Sequence, residues 1–573
     1  MSSRDSRPHP AMQTLPQNGP LAYYCPLACN GPQLPTAARQ PMNVPLTPLM
    51  FLRRSVKLHP GKTAVVCGAQ RFSYRQFSRR IHRLSHLLVS LGVRPGTVVA
   101  YLSRNCHRLL EAYYGVVQTG AIFLPLNVRL TPGDFRYILN HSEARLLLLE
   151  EEFLPLIGEV RGELPRLQGC LLLDGEPSLP WLHPLGYQQA IETCRPDPFP
   201  DTVQDEDSVA ELFYTSGTTA RPKGVMLTHR NLYLHALSVV FALQNRETDV
   251  QLHTIPLFHA NGWGATHSIT CVGGTHVILR HFRPRTVLEL IRNEGVTTLN
   301  LVPTMATLLL NSQAIPKDRL DSLRLIHMGG SSVPPEMVRQ LEAAFGCECS
   351  CGYGLTETSP VLTVSLLKSH LREDGDARYR RAAMTGLELP GSEVRVVDRQ
   401  GQDVAADGQT VGEIVARSNV VMKGYWKQPE ETAKVLKQGW FHTGDLATLD
   451  SEGYLMIVDR KKDIIVRGGE NISSIEIEKT LFAHPDVLEC AVIAVPDPKW
   501  GESPKALVVP REGTELSEQA LKQYCRQKLA AYKVPSSVEF LSSLPKGGTG
   551  KIQKKALRER YLRNNGKGVP QGG

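Results

Sequence analysis

Short apolar runs alternate with amphipathic segments along most of this chain, and that alternation restricts its architecture more than any other feature. Thr97 to Ser103 reads as a short apolar strand, Leu109 to Gln118 as a helix and Ala121 to Leu126 as a second strand. Units of this length predict a layered α/β domain whose sheets are covered by helices. Further strands are expected at Thr275 to Leu279, Val296 to Val302 and Leu323 to Met328. After Met328 the chain turns through Gly329-Gly330-Ser331-Ser332, and Pro334-Pro335 begin a helix in which Met337, Leu341 and Phe345 recur at helical spacing. Ligands of such sheets bind beyond the carboxyl ends of strands, where Gly330 and Ser331 are expected. A plain strand-to-helix turn would explain these glycines equally well.

The 573 residues exceed what one hydrophobic core usually organises, so at least two domains are expected. Residues 1–45 carry closely spaced prolines from Pro8 to Pro45 and are expected to be a disordered extension. Asp5 is the only acidic residue before residue 60, a trait of organellar transit peptides, although the prolines spoil an amphipathic helix. A functional chain starting near Met42 is the other reading. Residues 46–460 form the expected large domain, 461–563 a small αβ domain, and 564–573 a disordered tail. In the small domain Ile475 to Phe482 reads as helical, Leu488 to Val495 and Ala506 to Val509 as extended, and Ser517 as the N-cap of a helix reaching Leu529.

The net charge of +9 suits anionic small substrates, or equally an ordinary solvated surface, and no Lys/Arg block marks nucleic-acid binding. Cys347, Cys349 and Cys351 alternate as on one strand face and lack the spacing of a zinc site, so buried free thiols are expected. Neither a membrane-spanning run nor a signal peptide is visible, which predicts a soluble, cytoplasmic protein, with organellar import as the alternative.

Chemistry concentrates first in Tyr214 to Gly224, YTSGTTARPKG. Two hydroxyl pairs, Thr215-Ser216 and Thr218-Thr219, flank Gly217, and Lys223 follows. Small hydroxylated residues and glycine let backbone N–H groups approach an anion, and lysine supplies a point charge for phosphate oxygens. The flanking runs predict a loop between two strands, which a Walker loop is not. A second cluster is Tyr353-Gly354-Leu355-Thr356-Glu357-Thr358, where an aromatic, a hydroxyl and a carboxylate suit a base, a phosphate and Mg²⁺. In Gly439 to Asp463, Asp445 follows Gly444 in an expected turn, where its carboxylate would accept both ribose hydroxyls. Lys461 and Asp463 read as solvated turn charges. Near the C-terminus, Leu544-Pro545-Lys546-Gly547-Gly548-Thr549-Gly550-Lys551-Ile552 is an adaptable glycine loop carrying a candidate catalytic lysine, Lys551.

From about residue 48 to 560, these ordered motifs resemble the adenylate-forming superfamily of acyl-CoA synthetases, luciferases and peptide-synthetase adenylation domains. Members commonly carry glycine where this chain has Ala220. The resemblance implies a large N-terminal sheet-and-helix domain of several subdomains with a small mobile C-terminal α+β domain. It also implies the cofactors ATP and Mg²⁺ with coenzyme A as co-substrate. It assigns adenine to the Gly330-Ser331 turn and Tyr353, the α-phosphate to Thr356, the metal to Glu357 and the ribose or phosphates to Arg460. Lys462 matches the hinge, and the Arg467-Gly468-Gly469-Glu470-Asn471 loop would replace Lys551 when CoA enters, with Gly468 and Gly469 letting pantetheine pass. Pro256 to Gly264, in the HxNGW form, resembles the acyl pocket of short- and medium-chain ligases, with His259 and Trp263 shaping it. The expected activity is an AMP-forming acid–thiol ligase on short- to medium-chain fatty acids. A carrier-loading or aromatic-acid adenylating enzyme and a non-catalytic nucleotide sensor are the alternatives. A small carboxylic acid, ATP and CoA are the expected partners, with no nucleic acid and a homodimer left open.

Overall fold

The computed structural model describes residues 44–200, 202–203, 205–215, 221–312, 320–372, 375–546 and 552–564. Among them the chain forms four sheets. A nine-stranded sheet has its centre in parallel strands Leu325–Met328, Thr298–Leu301, Val250–His253 and Thr275–Ile278. A seven-stranded sheet runs from Gly424–Tyr425 through Lys223–Thr228, Val209–Thr215, Ile122–Pro125 and Val98–Leu102 to Leu146–Leu149 and Gly169–Leu172. Every residue of Val98–Leu102, Ile122–Pro125 and Leu146–Leu149 is buried, as parallel strands covered on both faces require.

One apolar cluster joins these two sheets. It runs from Ala64 and Val65 of the nine-stranded sheet, through Tyr74, Phe77 and Ile81 of helix Tyr74–Ser90 and Leu109 to Tyr114 of helix His107–Gly115, to Val99, Phe123 and Phe213 of the seven-stranded sheet. Helix Tyr74–Ser90 begins at a capping box in which Ser73 and Gln76 satisfy each other's backbone N–H groups. Tyr74 and Tyr114 enter this core with a partner for the hydroxyl: Tyr74 donates to Gly274 O at 2.6 Å and Tyr114 to Thr266 O at 3.0 Å.

A third sheet pairs Trp440–Leu449 with Gly412–Ser418 and Leu455–Arg460, all antiparallel. The fourth, beyond Arg460, sets Val487–Asp497 against Gly501–Pro510, and Ser537–Phe540 runs parallel to the latter. It has its own core of Ile465, Ile477, Leu481, Val492, Val508 and Leu521 under helices Ser474–Phe482 and Glu518–Arg526. The Ser517 side chain accepts from Ala520 N, making it the cap expected from sequence. No helix among the described residues is long and apolar enough to cross a membrane.

Two local expectations are corrected. Asp445 lies inside strand Trp440–Leu449 rather than in a turn; Gly444 takes φ +72° and the pairing register shifts after Leu446, so the strand kinks where a turn was read. Asp463 is not a solvated turn charge, because Arg558 of the C-terminal helix Lys554–Asn564 pairs with it and leaves its side chain 12% exposed. Lys461 is exposed as expected. Cys347, Cys349 and Cys351 are buried free thiols in one apolar cluster, because strand alternation puts Cys349 and Cys351 on the same face.

Histidines are unusually frequent in the interior. His253 and His276 share a hydrogen bond of 2.9 Å, and His276 reaches Thr270 Oγ1 at 3.0 Å. Burial lowers His253 and His235 to about 3 and His107 and His327 to about 4. These groups are neutral in the folded chain, whereas an unfolded imidazole protonates near pH 6.5. Stability is therefore full above about pH 6.5 and is lost as the pH falls toward the folded values, at up to about 1.4 kcal/mol per pH unit for each histidine. Urea unfolding followed from neutral pH to about pH 5 should show this loss; a flat free energy across that range contradicts it.

Candidate active site

Hairpin geometry builds the phosphate-loop region. Strands Val209–Thr215 and Lys223–Thr228 are antiparallel neighbours with Thr215 opposite Lys223, so a strand stands on either side of the loop, as the sequence predicted. Ser216, Gly217, Thr218, Thr219 and Ala220 lie outside the described residues, and so does Lys551. Lys223 is fixed from below. Its Nζ pairs with Glu431 and stands 4.9 Å from the centre of the Tyr425 ring. The hydrogen bond from Lys223, joined by one from Lys434, holds the Glu431 carboxyl down at about 2.

Tyr425 extends this chain of contacts. Its hydroxyl donates to Glu357 Oε1 at 2.9 Å. Strand Gly424–Tyr425 pairs with Lys223–Thr228, Tyr425 lying opposite Val225, which brings the phenol beside both groups. Glu357 sits with Thr356 in the 3-10 turn Thr356–Thr358 that follows strand Glu348–Tyr353. Loss of water raises the Glu357 pKa, Arg460 works against this, and Asp445 adds to it, so all three lie within electrostatic reach. One Glu357 oxygen is thus committed to Tyr425 in a half-buried carboxylate that gains from a nearby cation, and this suits an oxygen-ligated divalent ion.

Asp445 anchors the second group. It is 4% exposed, directly opposite Arg460 in the sheet, and accepts from Tyr353 Oη at 2.8 Å while Arg460 Nε stands 3.2 Å from its other oxygen. Burial, then the Asp445 charge, pushes the Tyr353 phenol well above its ordinary value, so it remains a donor. Tyr353 was read from one stretch of sequence and Asp445 and Arg460 from another; strand pairing sets Asp445 opposite Arg460, and the Tyr353 hydroxyl joins them.

The Pro256–Gly264 stretch faces the glycine turn. Gly330 has φ +77°, and a Cβ on Gly329 or Gly330 would stand 3.4 or 3.3 Å from the Trp263 ring. The indole therefore packs directly on the turn that follows strand Leu325–Met328. Ser331, next in that turn, is exposed. His259 Nε2 is buried without a hydrogen-bond partner, and burial followed by the Arg129 charge lowers this imidazole to about 4. His259 is accordingly neutral near pH 7.

The two glycines of the expected CoA loop lie apart from this group. Gly468 and Gly469 form the turn between strands Ile465–Arg467 and Glu470–Ile472, where the Trp500 indole covers Gly468. Lys462 is the last residue before Asp463 in the connection between the third and fourth sheets, and its carbonyl accepts from Arg558 Nη1 at 3.0 Å. A buried cluster crosses this connection: Ser474 Oγ donates to Asp459 at 2.6 Å, while Lys554 reaches Ser474 at 2.7 Å and Glu478 at 2.8 Å. Glu431, Tyr425 and Asp459 were not singled out in the sequence. They fall in ordinary strand, helix and charged-turn contexts, and only tertiary pairing distinguishes them.

Comparison with known proteins fits this geometry. The AMP-binding enzyme family matches residues 52–426, more than half of the chain, and the AMP-binding enzyme C-terminal domain matches residues 476–551. A butyrate–CoA ligase of Arabidopsis thaliana, named as peroxisomal, is 38% identical over 90% of this chain and 93% of its own. A long-chain-fatty-acid–CoA ligase of Thermus thermophilus is 38% identical over 89% of this chain and 93% of its own. Among solved structures, an anthranilate CoA ligase in complex with anthranoyl-AMP superposes with a TM-score of 0.84 at 29% identity, covering 91% of this chain and 99% of that one. ATP-bound MatB from Rhodopseudomonas palustris gives 0.81 at 30% identity over 90% and 99%.

Proposed function

The chain belongs to the AMP-binding enzyme family, and from that premise we propose that it is an ATP-dependent carboxylic acid–CoA ligase acting on short- to medium-chain acids. The observation that carries this reading is that Tyr353, Asp445 and Arg460 form one group within electrostatic reach of Glu357, which Tyr425 links to Lys223.

A carboxylate is a poor acyl donor, so it must first become a mixed anhydride. Its oxygen attacks the α-phosphorus of ATP, the bond to the bridging oxygen breaks, and pyrophosphate leaves. Charge builds on the α-phosphoryl oxygens and on the leaving group, where fixed donors and cations lower the barrier most. In this assignment Thr356 and Lys551 serve the α-phosphate, and the Thr215–Lys223 loop with Ser216, Gly217, Thr218 and Thr219 serves the β and γ phosphates. Asp445 accepts the ribose hydroxyls, Arg460 adds positive charge, and Tyr353 with the Gly330–Ser331 turn holds adenine. Mg²⁺ bound by Glu357 would supply positive charge beside the phosphates. The CoA thiolate then attacks the acyl carbonyl carbon and AMP leaves. The small domain beyond Lys461 rotates about Lys462 between the steps, bringing Gly468 and Gly469 to the pantetheine. In that rotation the Asp459–Ser474 contact is broken, since its partners stand on opposite sides of the hinge.

Formation of AMP and acyl-CoA from ATP, CoA and a panel of linear, branched and aromatic acids tests the reading; adenylate without thioester, or no AMP from any acid, would refute it. Trp263 bounds the acyl chain in this assignment because its indole closes on the glycine turn. Trp263→Ala should move the preference to longer acids, and an unchanged chain-length profile would remove the residue from the pocket. The peroxisomal name of the plant relative makes organellar import worth testing by localising the tagged full chain.

A further inference from the structure

Residues 260–264 hold an unusual backbone. Ala260, Asn261, Gly262, Trp263 and Gly264 all have positive φ, from 37° to 80°. Glycine and asparagine tolerate that region, whereas alanine and tryptophan are strained in it. Something must hold Trp263 there. The residues that do so come from the strand leading into the phosphate loop. Glu211, fully buried in Val209–Thr215, accepts from Asn261 Nδ2 at 2.9 Å and pairs through its other oxygen with His267 Nε2 at 2.7 Å. Asn261 Oδ1 in turn accepts from Gly264 N at 2.8 Å, closing the turn across Trp263. On the far side the rings of Tyr113 and Tyr114 stand edge-on to His267, at 5.9 and 5.6 Å, and the Tyr113 hydroxyl donates to Leu257 O.

We infer that Glu211 is a positioning residue which, through Asn261, locks the left-handed turn and so fixes the Trp263 indole against Gly329–Gly330, setting the depth of the acyl pocket. A buried carboxylate is costly unless its lone pairs are taken, and here both oxygens have partners. The same strand ends at Thr215, so pocket depth and phosphate loop are built on one rigid element. The inference rests on the ligase reading and deepens it by naming what sets its substrate size.

Asn261→Gly is the cleanest test, since glycine accepts the positive φ while removing both side-chain hydrogen bonds and leaving the Glu211–His267 pair in place. Its kcat/KM for the acid preferred by the wild type should fall on the order of 10-fold, with preference moving toward longer acids and KM for ATP unchanged. Glu211→Gln keeps an acceptor for Asn261 and should retain most of the wild-type profile, whereas Glu211→Ala should shift it as Asn261→Gly does. If Glu211→Ala fails to fold, the comparison of Asn261→Gly with Glu211→Gln still decides. An unaltered ratio between short and long acids in folded Asn261→Gly overturns the inference alone. Absence of AMP from any acid with the wild type overturns the ligase reading, and this inference with it.

Discussion

Lys551→Ala should lower the rate of acyl-adenylate formation by about 10³-fold, in line with losing a donor aimed at developing charge. Rapid-quench measurement of AMP-ester formation from acid and ATP reads this directly. The flanks of the lysine show why one residue should matter so much. Lys546 bridges Ile552 in antiparallel fashion and Gln553 N donates to Pro545 O at 2.8 Å, so both ends of the intervening segment are tied together. Lys546 pairs with Glu489 at 2.5 Å, and three residues beyond Lys551 the half-buried Lys554 pairs with Glu478 and donates to Ser474. Burial alone would lower the Lys554 pKa, and the Glu478 and Asp459 charges reverse that, so Lys554 remains a cation and a fixed post. Thioester formation from preformed acyl-adenylate should be nearly unaffected if, as proposed, rotation of the small domain brings the Gly468–Gly469 loop in place of the lysine for that step. An equal loss in both steps would mean that Lys551 maintains the fold of the small domain instead.

Local pattern made much of the fold legible. The strands at Val98–Leu102, Ile122–Pro125 and Leu325–Met328 and the helix Pro335–Phe345 follow from apolar runs, periodicity and proline placement, and each lies within two residues of its expected bounds. The two strands that flank the phosphate loop were legible for the same reason. Tertiary pairing was not. Nothing in the string Gly424-Tyr425 says that it will add an edge strand beside Val225 and deliver a phenol between Lys223 and Glu357. Nor does Glu211, one polar residue in an apolar strand, announce the two partners that lie 50 and 56 positions away. Gly444 misled because a glycine with positive φ serves a strand irregularity as readily as a turn.

Asp445→Ala should raise KM for ATP about 100-fold with a smaller effect on kcat, since it removes binding that ground and transition states share. The size follows from bonds of the charged type, each contributing about 1.5–3 kcal/mol. Two ribose hydroxyls would lose their acceptor, and Tyr353 and Arg460 would lose the group that fixes them at 2.8 and 3.2 Å. Tyr353 is itself buried, so its hydroxyl would lose the carboxylate to which it donates. Asp445→Asn separates these contributions: the amide oxygen still accepts from Tyr353, but the charge facing Arg460 is gone. If Asp445 acts on ribose through a charged bidentate contact, Asn should fall close to Ala. If it acts chiefly by holding Tyr353 in place, Asn should fall close to the wild type. Equal KM for ATP in all three proteins would remove Asp445 from the nucleotide site and leave it as a buried anchor between strands.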